Sequence, residues 1–292
     1  MKKMACFRLL AALVMLALVL SSGAAGAEIH LDQEPPAEWA DREVMTLTAF
    51  PTVENDCTLL EVGGKSMLID GGFKGWRYQL EPALAAMGYK GRVDVLFNTH
   101  PHDDHLGCVS VMVRDGFQAG EFISTFPRDY KEDIQKQTVK YLDAAGIPYR
   151  QIENGETMEF GGAQLVFWYY PDGRDPNALS ALMHITFGDS TVLMGADTTN
   201  ATHKWFHQHL GAEKLHADIL KYPHHAYTAV SGDFMEDVNP GFVYVTNRAR
   251  KTPAANKQLR SRHIPYYHTS IGRIVMVTDG TDWYIKQYTD RF

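Results

Sequence analysis

The feature that most constrains the fold of this chain is residues 99–108, THPHDDHLGC, which hold three histidines and two aspartates within six positions. The segment follows an apolar run, RVDVLFN at 92–98, which has the pattern of a strand buried on both faces. A helix is expected to begin near Leu106. Side chains at the carboxyl end of such a strand face the crevice in which α/β proteins bind ligands. The chain therefore has to place a titratable cluster at the edge of a sheet.

The spacing of these side chains indicates a metal site. His100 and His102 are two residues apart, so an extended backbone can direct both rings at one cation. Asp104 and His105 follow after a bend and can reach a second cation. Imidazoles combined with carboxylates suit zinc or another divalent ion of intermediate softness. The alternative, a polar loop with incidental histidines, is disfavoured by the H-x-H-x-D-H spacing.

One turn cannot complete two coordination shells, so further ligands have to come from distant segments. Two later apolar runs end in suitable residues: STVLMGAD ends at Asp197, and ADILKYPHHA contains His224 and His225. A carboxylate has two oxygens and can bridge two cations, which makes Asp197 the expected shared ligand. One of the paired histidines would then complete the second site, and the spacing leaves open which one.

Short β-branched runs alternate with longer segments of helical spacing along the rest of the chain. The helical segments are YQLEPALAAMGY, DIQKQTVKYLDAAG, NATHKWFHQHLG and TPAANKQLRSRH. Mixed strands and helices over roughly 250 residues predict sheets covered by helices in one α/β domain. We place this domain at residues 44–292, after a polar leader at 28–43 that contains a proline pair.

Residues 1–27 have the composition of a signal peptide. Lys2, Lys3 and Arg8 precede an apolar run that ends in small residues, with Ala-Gly-Ala at 25–27. The run is short for a membrane span, although an uncleaved anchor remains the alternative. We therefore expect cleavage near Ala27 and a secreted or extracytoplasmic protein without a membrane span after processing.

Export would change the charge and the cysteine content. Loss of three positive charges takes the formal net charge from −7 to −10. A protein this acidic is a poor non-specific binder of nucleic acid or of anionic membranes. Cys57 and Cys108 would remain. An oxidising compartment would permit a disulfide between them, but both lie in apolar patterns and are expected to be packed thiols.

These motifs resemble those of the metallo-β-lactamase superfamily, over roughly residues 44–287. The matching segments are LIDGG, HPHDDHLG, VLMGAD, LKYPHHA and YYHTSIGRIVMVTDG. They are most similar to the branch that contains the hydrolase domain of bacterial DNA-uptake channels and the cell-surface phosphorylcholine esterases. The resemblance implies a four-layer αββα sandwich with two divalent metal ions at one edge, Zn²⁺ first, with Mn²⁺ or iron as alternatives.

The resemblance also implies a role for each residue. Metal one is held by His100 and His102, metal two by Asp104, His105 and His225, and Asp197 bridges them, while Asp70 supports the turn without binding. His224 would support a ligand or contact the substrate phosphate. Asp104, and with less support Asp103, would orient a metal-activated water or pass a proton.

Some residues depart from the pattern of the family or suggest competing sites. His184 stands where a third metal-one histidine could occur, but its strand context predicts a packed residue. Tyr227 replaces the serine of the branch's Lys-x-x-His-His-Gly-Ser motif and is expected to reshape the pocket. His203 and His207 are expected on an exposed helix face. Six basic residues between 248 and 262 form either a solvated helix and loop or, through Arg248, one flank of an anionic substrate site.

The function expected from these features is metal-dependent hydrolysis of a phosphoester, of the phosphodiester class, by a water activated between two cations. The substrate would be a small molecule or a cell-surface phosphoester, with no specific nucleic-acid binding. The alternatives are amide or lactone hydrolysis of the β-lactam type, nuclease action, and a degenerate metal-binding module. The sequence leaves the oligomeric state open.

Overall fold

The computed structural model describes residues 27–289, in which two β-sheets pack face to face. The first sheet has nine strands, in the spatial order β1 (Ile29–Leu31), β16 (Trp283–Tyr288), β15 (Arg273–Thr278), β2 (Met45–Ala49), β3 (Thr58–Val62), β4 (Lys65–Ile69), β5 (Arg92–Asn98), β6 (Gln118–Ser124) and β7 (Tyr149–Gln151). The second has seven, in the order β14 (Tyr266–His268), β13 (Phe242–Val245), β12 (Ile219–Lys221), β11 (Ser190–Met194), β10 (Leu182–Phe187), β9 (Ala163–Trp168) and β8 (Thr157–Phe160).

Helices cover the outer face of each sheet. The first sheet is covered by α1 (Arg77–Ala86), α2 (Asp103–Arg114) and α3 (Asp133–Ala145). The second is covered by α4 (Asn200–His209), α5 (Gly211–Leu215), α6 (Gly232–Val238) and α7 (Pro253–Ser261). Short 3₁₀ turns lie at Ala37–Asp41, Lys74–Trp76, Pro223–Ala226 and Ala249–Lys251.

Alternation along the strands explains the layers. Leu60 and Met67 face the core between the two sheets, whereas their neighbours Leu59 and Leu68 pack against the helices. Successive side chains of a strand point to opposite faces, so a strand buried on both faces needs a continuous apolar run. The four-layer αββα sandwich predicted from the sequence is confirmed.

Helix α2 begins at Asp103, three residues before the expected start at Leu106. His102 is extended, with φ −96° and ψ 157°, and the chain turns into the helix directly after it. Asp103 and Asp104 then lie in the first turn, where carboxylates interact favourably with the positive end of the helix dipole. The metal-binding motif is thus divided between a loop and a helix.

The leader predicted at residues 28–43 is part of the sandwich. Its strand β1 pairs in parallel with β16 at the edge of the first sheet, and Trp39 is buried. The polar composition of this segment concealed the edge strand, because only three residues take part. Of the predicted signal peptide, residues 1–26 lie outside the described residues. Among residues 27–289, no helix has the length and apolar character needed to cross a membrane.

Parallel pairing brings distant loops to one edge of the sandwich. Strands β4 and β5 are parallel neighbours in the first sheet. Strands β11, β12 and β13 are parallel neighbours in the second. Because the carboxyl ends of parallel strands meet at the same edge, the loops that follow these five strands converge there.

Candidate metal centre

The residues at this edge come from the loops after the parallel strands. Asp70 follows β4, His100 follows β5, Asp197 follows β11, and His225 follows β12. His100, His105, Asp197 and His225 are each at most 2% exposed. Together with Asp70, five polar or charged side chains therefore lie buried at this edge.

One group of donors surrounds the position predicted for metal two. His105 Nε2 lies 3.3 Å from Asp197 Oδ1. His225 Nε2 lies 3.2 Å from Asp104 Oδ2 and 3.3 Å from Asp197 Oδ2. Two imidazole nitrogens and two carboxylates thus face one another, which is a suitable donor set for a divalent ion.

A second group lies on the other side of Asp197. His100 Nε2 is 3.1 Å from His102 Nδ1 and 4.0 Å from Asp197 Oδ2. His224 approaches the same carboxylate oxygen, with its Nε2 at 3.8 Å, and its side chain is 34% exposed. The structure therefore brings all six predicted metal ligands together, and it places His224 on the solvent side of the cluster.

Asp70 holds the segment between Asn98 and His105 in place through hydrogen bonds. Its carboxylate accepts hydrogen bonds from the Asn98 amide and the Thr99 backbone at 2.9 Å each, and from the Thr99 hydroxyl and His105 Nδ1 at 2.7 Å each. A proton on Nδ1 leaves Nε2 of His105 free to bind a cation. The adjacent Gly71 allows close contact with α2, since a Cβ there would lie 2.8 Å from the Val109 side chain.

The electrostatics of the cluster favour added positive charge. Burial lowers the pKa of His105, but Asp197 and Asp70 outweigh it and raise that pKa to about 10. Burial likewise opposes protonation of His225, yet Asp197 and Asp56 hold its pKa well above the usual value. Burial and the neighbouring His105 lower the pKa of His100. The carboxylates thus hold protons on His105 and His225. Bound cations would replace those protons and balance the same negative charge.

Unpartnered polar atoms test whether a metal fits these residues. Among the described residues, His105 Nε2, Asp197 Oδ1 and Asp56 Oδ1 are all buried without a hydrogen-bond partner. Buried polar groups almost always have a partner, so such atoms facing each other need an explanation. Nitrogen and carboxylate oxygen are zinc and iron donors. The residues present fit a bound divalent metal.

The paired histidines require an unusual backbone. His224, His225 and Ala226 all have left-handed φ values, of 50°, 47° and 58°. Each such residue costs about 1–2 kcal/mol relative to a right-handed conformation. The turn is held by hydrogen bonds from His224 N to Ala196 O at 2.9 Å and from the Asn247 amide to His225 O at 3.1 Å. This conformation lets two consecutive histidines both face Asp197.

Tyr227 borders the cluster, at the position where the resemblance predicted a serine. Its ring lies edge-on to His224 and His225, with centroid distances of 5.7 and 5.9 Å. Its hydroxyl donates to Glu54 at 2.8 Å, and Lys251 also binds Glu54, at 2.6 Å. Tyr227 is 42% exposed and therefore presents an aromatic surface beside the cluster.

Other histidines lie away from the cluster. His184, in strand β10, bonds to His216 O at 2.8 Å, which agrees with the predicted packed residue. The expectation of an exposed face for His203 is wrong: it is 1% exposed, stacks on Phe234 and bonds to Thr198 at 3.0 Å. His207 is exposed as expected. The spacing did not reveal that α6 covers one side of α4.

Asp103 and Arg248 occupy peripheral positions. Asp103 has a 64% exposed side chain and lies 3.8 Å from Lys74 Nζ, so its catalytic role stays a prediction. Arg248 lines a surface cavity of about 770 Å³ with Trp76 and Tyr78. The basic stretch thus combines a helix, α7, with one side chain in a groove.

Cys57 and Cys108 are both free and buried, as expected of packed thiols.

Two buried charged residues were not assigned a role from the sequence. Asp56 has a ligand atom within 4.8 Å of those of His105, Asp197 and His225. Lys221, 1% exposed, forms an ion pair with Asp56. A signal was present: a lysine ending an otherwise apolar buried strand requires an acidic partner. The sequence did not identify that partner, because it is 165 positions away.

Comparison with known proteins supports this description. The sequence profile of the Metallo-beta-lactamase superfamily matches residues 51–206. No curated protein matches the chain.

Solved structures share the fold. CmlA, a diiron β-hydroxylase from Streptomyces venezuelae, superposes with a TM-score of 0.54 at 15% identity, over 83% of this chain and 55% of CmlA. An E377D mutant of CmlA superposes with the same TM-score at 14% identity, over 83% of this chain and 54% of that one. This chain therefore spans little more than half the length of CmlA. Igni18, a metallo hydrolase from the archaeon Ignicoccus hospitalis, has a TM-score of 0.50 at 15% identity, over 80% of this chain and 98% of Igni18.

Proposed function

The chain belongs to the metallo-β-lactamase superfamily, and from that premise we propose that it is a dinuclear-metal-dependent hydrolase of phosphoesters, of the phosphodiester class. The proposed metal is Zn²⁺, with Mn²⁺ and iron as alternatives that fit the same donors. Two cations held here would activate a water molecule and neutralise charge on the substrate.

The position of Asp197 between two groups of donors carries this proposal. Its Oδ1 lies 3.3 Å from His105 Nε2, and its Oδ2 lies 3.3 Å from His225 Nε2 and 4.0 Å from His100 Nε2. A carboxylate shared by two donor groups is suited to a pair of cations, which phosphatases and nucleases commonly use. The β-lactam alternative is less well supported, because superfamily β-lactamases generally have a third metal-one histidine and lack the bridging aspartate.

The residues around Asp197 then have distinct roles. His100 and His102 hold metal one, and Asp104, His105 and His225 hold metal two. His225 is preferred to His224 as the ligand because it is buried between Asp104 and Asp197. His224 is partly exposed and faces the same carboxylate, so we assign it to contact with the substrate phosphoryl group.

Charged side chains of both signs line a cavity near metal one. Lys74 and Lys131 line a cavity of about 330 Å³ that also contains His102. Three acidic residues line the cavity as well, namely Asp103, Glu132 and Asp133. Attraction of a phosphoester would therefore come from the two cations, while the acidic surroundings oppose the long polyanionic backbone of a nucleic acid. A small or cell-surface phosphoester is therefore preferred to DNA.

We also propose that the protein acts outside the cytoplasm after cleavage near Ala27. The basic, apolar and small-residue segments of positions 1–27 support this proposal. Amino-terminal sequencing of the protein recovered from the culture medium or periplasm tests it. A mature protein that still begins at residue 1 contradicts cleavage.

The function is tested by metal analysis together with a substrate screen. The purified protein is analysed for zinc, manganese and iron, and assayed with bis-p-nitrophenyl phosphate, p-nitrophenyl phosphorylcholine and nitrocefin. We expect two metals per chain and phosphodiesterase activity that a chelator removes and one metal restores. Turnover of nitrocefin alone would overturn the substrate class, and a protein without metal would overturn the mechanism.

Substitution of the shared ligand tests the arrangement itself. Asp197→Ala is expected to remove bound metal and activity together, because both groups of donors lose a carboxylate oxygen. Asp189→Ala, an exposed aspartate in the turn between β10 and β11, is the control and should retain both. An Asp197→Ala variant with two metals and full activity would show that the bridging assignment is wrong.

A further inference from the structure

The buried lysine at the end of β12 has a specific set of partners. Lys221 Nζ forms an ion pair with Asp56, donates to Ala196 O at 2.8 Å and lies 3.6 Å from Asp197 Oδ1. Its side chain is 2% exposed. A buried charge without compensation costs several kcal/mol, so these oxygens determine where the ammonium group lies. Lys221 thereby links Asp56 to the shared carboxylate.

Asp56 lies on the Nδ1 side of His225. Its Oδ1 makes an ion-pair contact with His225 Nδ1 at 3.2 Å but has no hydrogen-bond partner among the described residues, while the Thr246 hydroxyl is hydrogen-bonded to the same nitrogen at 3.0 Å. The other nitrogen, Nε2, faces Asp104 and Asp197. A ligating imidazole binds metal through one nitrogen and donates a hydrogen bond from the other, commonly to a carboxylate. Asp56 and Thr246 both lie on this second side of the ring, and Thr246 makes the hydrogen bond.

Proximity alone would allow Asp56 to be a fifth ligand of metal two, because it has a ligand atom within 4.8 Å of those of His105, Asp197 and His225. Two observations oppose this. Asp56 approaches His105 through Nδ1 as well, at 3.8 Å, and that nitrogen is bonded to Asp70. Its negative charge is also already paired with the Lys221 ammonium group.

We propose that Lys221 and Asp56 form a fixed ion pair that positions the metal-two ligands His225 and Asp197 without binding metal. The inference rests on the proposed metal centre but not on its substrate. Asp56 contacts the His225 ring at Nδ1, beside the Thr246 hydrogen bond, and Lys221 lies beside one oxygen of Asp197. Both residues are positioning residues, and loss of the pair is expected to weaken metal two without abolishing it.

Matched aspartate-to-asparagine changes separate a positioning residue from a ligand. Asp56→Asn, Asp104→Asn and the wild type are titrated with Co²⁺ after metal removal, and stoichiometry and visible absorption are recorded. Asp56→Asn should bind two ions with the affinity of one site reduced about 10–100-fold, the range for loss of a residue that orients a ligand. Asp104→Asn should bind one ion under the same conditions. Asp218→Asn, at a carboxylate that accepts from Thr191 and Trp283, should match the wild type.

The same Co²⁺ titration can overturn the proposal. An Asp56→Asn variant that binds a single ion would make Asp56 a ligand, and one with both affinities within threefold of the wild type would remove its positioning role. A wild-type protein that fails to bind two ions would overturn both this inference and the proposed function. Inactivity toward phosphodiesters with normal metal binding would overturn only the proposed function.

Folding is controlled with a double variant. Lys221→Met alone leaves the Asp56 carboxylate unpaired in the interior and should lower the thermal midpoint. Asp56→Asn/Lys221→Met removes both charges and is expected to recover the midpoint while Co²⁺ affinity stays reduced. A double variant that binds both ions with wild-type affinity would show that the pair serves folding alone.

Discussion

Asp70→Asn tests whether the Asp70 carboxylate stabilises the segment that contains His100 and His105. The Asp70 carboxylate is 1% exposed and accepts four hydrogen bonds, two on each oxygen. Oδ1 accepts from Asn98 and from the Thr99 backbone, and Oδ2 from the Thr99 hydroxyl and His105. An asparagine has nearly the same shape but replaces one of these oxygens with an NH₂ group. If Oδ1 is replaced, the Asn98 amide and the Thr99 backbone N–H face another donor; if Oδ2 is replaced, only His105 Nδ1–H does, because the Thr99 hydroxyl can turn to accept.

The size of the effect follows from the number of donors left unsatisfied. Leaving a buried donor unsatisfied costs about 1–3 kcal/mol, so with one or two such donors Asp70→Asn should lower the free energy of unfolding of the metal-free protein by about 1–6 kcal/mol. That is a large part of the total of about 5–15 kcal/mol typical of a folded protein. Loss of the His105 Nδ1 contact should also weaken metal two about 10–100-fold, equivalent to about 1.4–2.8 kcal/mol.

The assay is urea unfolding in the presence of a chelator, followed by metal titration of the folded variant. Asp94→Asn is the control: it changes an exposed carboxylate on the neighbouring strand β5 that accepts from Ser66. It should change the free energy of unfolding by less than about 1 kcal/mol, as surface substitutions usually do. If Asp70→Asn matched this control and bound both metals within threefold of the wild type, the reasoning about Asp70 would be refuted.

Three further predictions concern protons, ligands and thiols. Burial lowers the pKa of His105, but Asp197 and Asp70 raise it to about 10, so a metal ion must displace a proton from this ring at neutral pH. Calorimetry in two buffers should therefore show proton release and a metal affinity that rises with pH. A pH-independent affinity would contradict this. His184→Ala should retain two metals whereas His225→Ala should lose one, and a loss of metal in His184→Ala would place that strand residue in the site. Burial raises the pKa of the Cys57 and Cys108 thiols, so both should react slowly with a thiol reagent in the native mature protein and promptly after denaturation. If the denatured protein shows no thiol, the two cysteines form a disulfide.

Much of the fold could be predicted because local pattern and layer position agree. The apolar run RVDVLFN is strand β5, and the apolar run STVLMGAD contains strand β11. Strand β1 was missed because three residues at a sheet edge carry no pattern. The start of α2 was misplaced by three residues, since the acidic residues at its first turn resemble a loop.

The candidate site was predicted where side-chain chemistry is concentrated in sequence. The spacing of His100, His102, Asp104 and His105 was sufficient to indicate a metal centre, and apolar strands ending in ligands indicated Asp197 and the histidine pair. The burial of His203 was not predicted, because four-residue spacing shows which face residues share and not which helix covers that face.

Local sequence thus determined the strands, the helices and the chemical type of the site, because periodicity and donor spacing act over a few residues. Only the tertiary structure decided which nitrogen of His225 faces Asp197, how Asp70 orients His105, and that Lys221 lies between Asp56 and Asp197. Those contacts join residues from separate strands at one sheet edge. The register and parallel order of the strands set them, and no short segment encodes either property by itself.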